Sequence, residues 1–167
     1  LQTLTLSSVR SITTATLLAI TECLSSSSIQ TLNLQACDLV TDDGVRCIFE
    51  KCGRNLRELN IGYCRLLTDK SFDVLQSSSS PSSTSPLALL PNAPVPSHSI
   101  NLGSSSAVLP PTKILCPSLS TLYLTRLPLI TDKTLTVLMT LASTNFARGT
   151  SPGITYLDIQ GCKAVTS

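Results

Sequence analysis

The feature that most constrains this chain is a string of apolar residues that returns along it. Residues 29–41, Ile-Gln-Thr-Leu-Asn-Leu-Gln-Ala-Cys-Asp-Leu-Val-Thr, place apolar side chains at Ile29, Leu32, Leu34, Cys37 and Val40, followed by Thr41 and Asp42. Leu56, Leu59, Ile61, Cys64, Leu67, Thr68 and Asp69 repeat it, as do Leu119, Leu122, Leu124, Leu127, Ile130, Thr131 and Asp132. An earlier copy, Leu1, Leu4, Leu6, Val9, Ile12 and Thr13, lacks the Asp. A last copy comprises Ile154, Leu157, Ile159, Cys162, Val165 and Thr166. A fixed internal period means that each copy is one structural unit, too small to bury its own apolar face.

Leu4 to Leu32 is 28 residues and Leu32 to Leu59 is 27. Within each copy the two central apolar residues alternate with an outward one, so both point to the same side of a short strand. Thirteen and sixteen residues after the first strand leucine come Leu17 and Ile20, Val45 and Ile48, Phe72 and Leu75, and Leu135 and Leu138. A separation of three puts each pair on one helix face. Each unit therefore reads strand, turn, helix, turn. The Thr-Asp pairs at 41–42, 68–69 and 131–132 stand where a helix begins, and each Asp is expected to serve its own helix terminus by capping and charge. Helices are expected over 14–24, about 43–51, about 70–76 and about 133–142, with Gly53 as a C-cap.

The pattern L-x-x-L-x-L-x-x-C-x-x-(apolar)-T-D resembles the cysteine-containing leucine-rich repeats, known from F-box and leucine-rich-repeat proteins and from antagonist-of-mitotic-exit-like proteins. The resemblance covers residues 1–76 and 116–167. It implies an α/β leucine-rich-repeat solenoid, a right-handed superhelix curved into a horseshoe arc, with a parallel sheet on the concave face and helices on the convex face. It also implies two alternative roles. One is substrate recognition within an SCF-type ubiquitin ligase, whose adaptor would be recruited through an F-box outside this segment. The other is a non-ligase regulatory or scaffold protein of the mitotic-exit or DNA-repair type.

Between the third and fourth copies the composition changes. Residues 77–115 hold seven of the ten prolines and twelve serines, with no Asp or Glu. Proline this dense denies both helix and ladder, and serine adds little to a core, so an insertion outside the repeats is expected. Ser80-Pro81 and Ser85-Pro86 within it suit proline-directed phosphorylation. An alternative makes Ser99-Ile100-Asn101-Leu102 the degenerate strand of a further repeat, since Leu59 to Leu122 spans 63 residues. Leu122 to Leu157 is 35 residues, and the extra length is expected as a loop in 143–153, where Gly149, Pro152 and Gly153 cluster. The chain opens on a repeat leucine and ends at a Thr-Ser pair. Solenoids need polar caps, so it is read as an excerpt of a longer protein with the domain boundaries 1–76, 77–115 and 116–167.

Charge is sparse, 13% of residues for a net +2. There is no basic cluster of the kind that neutralises phosphates, so nucleic acid is not expected as a partner, and no apolar run approaches a membrane span. Of the seven cysteines, Cys37, Cys64 and Cys162 share one repeat position with Val9 and Leu127, as small apolar core residues do. Neither the spacing of Cys47 and Cys52 nor that of Cys23 and Cys116 supplies a zinc motif. Reduced thiols of a cytoplasmic or nuclear protein are expected. His98, the single histidine, lies in the insertion, without fixed partners for acid–base work. No cofactor, metal or catalytic constellation is expected.

The outward strand positions form columns: Thr3, Thr5 and Ser7; Thr31, Asn33 and Gln35; Glu58, Asn60 and Gly62; Thr121, Tyr123 and Thr125; Tyr156, Asp158 and Gln160. The turns add Tyr63 and Arg126. A row of side chains held on rigid strands suits recognition of a protein substrate or regulatory partner. The expected contact residues are Asn33, Gln35, Glu58, Asn60, Tyr63, Tyr123, Arg126, Tyr156 and Asp158.

Overall fold

The computed structural model describes residues 1–24, 29–76, 116–147, 149 and 153–166. In order these form β1 (Thr3–Thr5), α1 (Thr14–Leu24), β2 (Thr31–Asn33), α2 (Asp42–Lys51), β3 (Glu58–Asn60), a 3₁₀ helix (Asp69–Leu75), β4 (Thr121–Tyr123), α3 (Asp132–Ala147) and β5 (Tyr156–Asp158). The five strands make one parallel sheet in chain order. Leu4, Leu32, Leu59, Leu122 and Leu157 stand opposite one another across it. The register is the one the repeat alignment demands, because a one-residue slip would turn every core leucine outward.

The core is a set of ladders between sheet and helices. Leu32, Leu59 and Leu122 form one rung each, with Leu34, Ile61 and Leu124 beside them and Val40, Leu67 and Ile130 below; all are nearly inaccessible to water. Burying each such side chain contributes about 1.5–3 kcal/mol. Phe49 of α2 meets Phe72 of the 3₁₀ helix at 5.9 Å between ring centroids, which ties neighbouring repeats on the helix side.

Three expectations need correction. Gly53 is not a left-handed cap; α2 ends at Cys52, whose N–H donates to the Ile48 carbonyl. Glycine is needed there for space, since a Cβ would lie 2.2 Å from the Phe49 carbonyl oxygen and 2.6 Å from the Cys116 sulfur. The fourth helix does not stop at 142. It runs on to Ala147, burying Thr134, Val137, Leu138, Leu141 and Asn145, so helix takes up part of the length assigned to a loop.

The third correction concerns Asp42, Asp69 and Asp132, which serve the following repeat rather than their own helix. The Asp42 carboxylate accepts from the Thr68 N–H at 2.8 Å, the Thr68 hydroxyl at 2.7 Å and the Ser71 hydroxyl. Asp69 accepts from the Thr131 N–H, the Thr131 hydroxyl and the Thr134 hydroxyl. Asp132 accepts from the Thr166 N–H and hydroxyl. The threonines keep a capping part, Thr68 accepting from the Lys70 N–H and Thr131 from the Lys133 N–H.

The insertion at 77–115, with His98 and the suggested degenerate strand, lies outside the described residues. Among the described residues β3 pairs directly with β4. Among the described residues no helix is long and apolar enough to cross a membrane.

Candidate functional site

After each strand the chain makes a turn whose third residue is left-handed: Ser8, Ala36, Tyr63, Arg126 and Gly161, with φ of 62°, 57°, 64°, 54° and 75°. Only the last is glycine. The conformation costs a non-glycine residue about 1 kcal/mol. It persists because each turn continues the ladder: Ser8, Ala36, Tyr63 and Arg126 donate their N–H to Gln35, Gly62, Thr125 and Gln160 of the next repeat. Tyr63 and Arg126 are thereby fixed on successive turns, and the Arg126 guanidinium lies 5.6 Å from the Tyr63 ring centroid.

The sheet face carries the expected columns, Thr31, Glu58, Thr121 and Tyr156 in one row and Asn33, Asn60, Tyr123 and Asp158 in the next. Three members of the second row brace turns. The Gln35 N–H donates to Asn33 Oδ1, the Gly62 N–H to Asn60 Oδ1 and the Gln160 N–H to Asp158 Oδ1, at 3.0, 3.1 and 2.9 Å. The Thr125 hydroxyl donates to the other Asp158 oxygen. Tyr123 occupies the same position in the fourth repeat and cannot make this bond. Its ring instead packs against Tyr156, centroids 5.3 Å apart. Loss of surrounding water, then the charges of Glu58, Tyr156 and Asp158, push the Tyr123 phenol above its ordinary value. Tyr156 is half exposed. Glu58, Tyr123, Tyr156 and Asp158 thus form an acidic, aromatic patch over β3 to β5.

The nine expected contact residues consequently fall into three groups. Glu58, Tyr123, Tyr156 and Asp158 stand together on the sheet. Tyr63 and Arg126 stand together on the turns. Asn33 and Asn60 support backbone, and Gln35 sits half-buried where β2 meets its turn. Sequence reasoning missed Arg65 and Lys163, which join Arg126 around one pocket. Their shared register, six residues after each strand leucine, was the available signal.

The cysteines are buried, apart from Cys23. Cys37, Cys64 and Cys162 do more than fill space: each thiol donates to a carbonyl of the preceding repeat, Leu6, Leu34 and Leu124, at 3.1, 3.2 and 3.0 Å. Burial pushes the Cys64 thiol up to about 12, against the opposing pull of its backbone contacts. It also raises Cys37, Cys52, Cys116 and Cys162. Among the described residues no group of three His, Cys, Asp or Glu could hold a metal.

Among the described residues a strand–turn–helix unit recurs along one continuous parallel sheet, the helix being 3₁₀ in the third unit. A family model described as Leucine Rich repeat matches residues 25–49. Among solved structures the chain is similar to one from the crystal structure of the Rad7 and Elc1 complex in yeast, with TM-score 0.61 and 18% identity. That likeness covers 98% of this chain and spans 29% of the length of the other. No curated protein matches the chain.

Proposed function

We propose that this chain is a protein-recognition solenoid that binds its partner across the concave sheet face and catalyses nothing. The observation that carries this reading is Tyr123. In repeats two, three and five this position braces a turn, yet here a large aromatic replaces the brace, packs at a tilt against Tyr156 and gathers Glu58 and Asp158 around it. Tyrosine offers wide contact area at low cost in side-chain entropy, and the two carboxylates favour a partner segment carrying Lys or Arg.

Within this reading the chain is the substrate-recognition part of an SCF-type ubiquitin ligase in the cytoplasm or nucleus. The repeat's resemblance to F-box and leucine-rich-repeat proteins supports it. The alternative is a regulatory scaffold of the mitotic-exit or DNA-repair type, the other role the repeat's resemblance implies.

The test is affinity capture with three versions of the chain: wild type, Tyr123→Ala/Tyr156→Ala on the sheet, and Met139→Ala/Phe146→Ala on α3, whose side chains are 70% and 75% exposed. Loss of partners by the sheet variant alone supports the reading, and loss by the helix variant alone overturns it. A captured protein whose lifetime lengthens when this protein is depleted from cells identifies the ligase role. An unchanged lifetime identifies the scaffold.

A further inference from the structure

Arg65, Arg126 and Lys163 come from three different repeats, 61 and 37 residues apart along the chain, and meet at one open pocket of about 660 Å3. Tyr63, Pro128 and Gly161 complete its lining. Its described lining holds no carboxylate, and the three ion pairs found among the described residues involve other cations. Three positive side chains on adjacent repeats repel one another, a cost that a bound anion would relieve.

Two details shape the pocket for a ligand rather than for the protein's own packing. Arg126 is positioned by Tyr63, its guanidinium carbon lying over the ring 5.6 Å from the centroid. A cation–π contact consumes none of the guanidinium N–H donors, so they can serve a bidentate anion. Above it the fifth repeat has Gly161, where a Cβ would lie 2.8 Å from Arg126 Cγ. That absent side chain leaves Arg126 room. The residue after Arg65 and its counterparts in repeats two and four are exposed leucines: Leu66, Leu39 and Leu129, each about half accessible. A cationic pocket beside an apolar ridge matches a peptide better than a nucleic acid, which has no aliphatic side chains to cover such a ridge.

We propose that the Arg65–Arg126–Lys163 pocket receives a phosphorylated side chain on a peptide segment of the partner. A phosphoryl group is favoured over a carboxylate because its near-double charge and three acceptor oxygens can engage all three cations at once. This rests on the reading that the partner is a protein. Isolated peptides probe it, so its failure is separable from a failed capture through Tyr123 and Tyr156.

The 15N-labelled chain is titrated with the five-residue peptide Gly-Leu-phosphoserine-Leu-Gly, with its Glu and Ser counterparts, and with a six-nucleotide oligo-dT. Expected are saturating shifts of the amides of Tyr63, Arg65, Gly161 and Lys163 with the phosphopeptide, roughly tenfold tighter than with the Glu peptide. Arg65→Gln/Lys163→Gln should weaken binding by about tenfold or more and leave amides elsewhere unmoved. Equal binding of the Glu peptide overturns the phosphoryl assignment. Binding of oligo-dT without the phosphopeptide makes the site one for nucleic acid. No localised shift with any of the probes removes the site altogether.

Discussion

Cys37, Cys64 and Cys162 show how one side chain can satisfy both packing and hydrogen bonding between stacked repeats. Val9 and Leu127 take the same position, so the thiol bond is an addition to the core rather than its condition. Cys64→Ala should therefore destabilise by about 1–2 kcal/mol, and Cys64→Val, which keeps the volume, by about half as much. Urea unfolding of the two variants measures both, and equal losses would assign the effect to the hydrogen bond alone. The elevated thiol values and burial also set reactivity. At pH 8 a disulfide reagent should titrate Cys23 quickly and the six buried thiols only as the chain unfolds. Two or more fast thiols in the native chain would contradict the burial.

At the scale of the element, each Thr-Asp pair is a clasp between one helix start and the next. Burial by itself would raise the Asp69 carboxyl. The Thr131 N–H, the Thr134 and Thr131 hydroxyls and the Lys133 charge outweigh that and hold it below its ordinary value. A carboxyl lower in the folded chain than in the unfolded one adds stability above its unfolded value, near pH 4, and loses it as pH falls through the folded value. Asp69→Asn should cost about 1–2 kcal/mol at pH 7. It should also flatten the acid limb of the stability profile below about pH 4; a slope identical to wild type would refute the clasp. In the first repeat Thr14 takes the Asp position, and its hydroxyl lies 2.6 Å from that of Thr41. Thr41 makes no side-chain cap bond. Thr14→Asp should supply the missing carboxylate to Thr41 and favour the α1 dipole, raising stability by about 0.5–1 kcal/mol. Thermal melts check the sign.

At the scale of the whole molecule, residues 77–115 join two strands, β3 and β4, that pair directly in the sheet. Because β3 and β4 pair directly, replacing that segment with a Gly/Ser linker of about a dozen residues should leave the melt cooperative and its midpoint little changed, loop closure depending weakly on length. A broad or two-step melt would mean that the segment carries structure the sheet needs.

Leu32, Leu59 and Leu122 were legible as a ladder because apolar periodicity is local, and stacking can satisfy it in only one register. Tyr123 and Tyr156 could be placed on the outward side by the same alternation. The direction of the Asp clasp was not legible. An Asp beside a helix start has the same sequence whether its acceptor oxygens turn to its own N–H groups or to the threonine of the next repeat. Nor was the meeting of Arg65, Arg126 and Lys163 legible, since it depends on the turns of three repeats arriving side by side. The repeat's chemistry determined the strands, the core and the outward face; only the stacking in space decided which outward side chains became neighbours, because charge and hydrogen bonding act over a few ångströms and not along the chain.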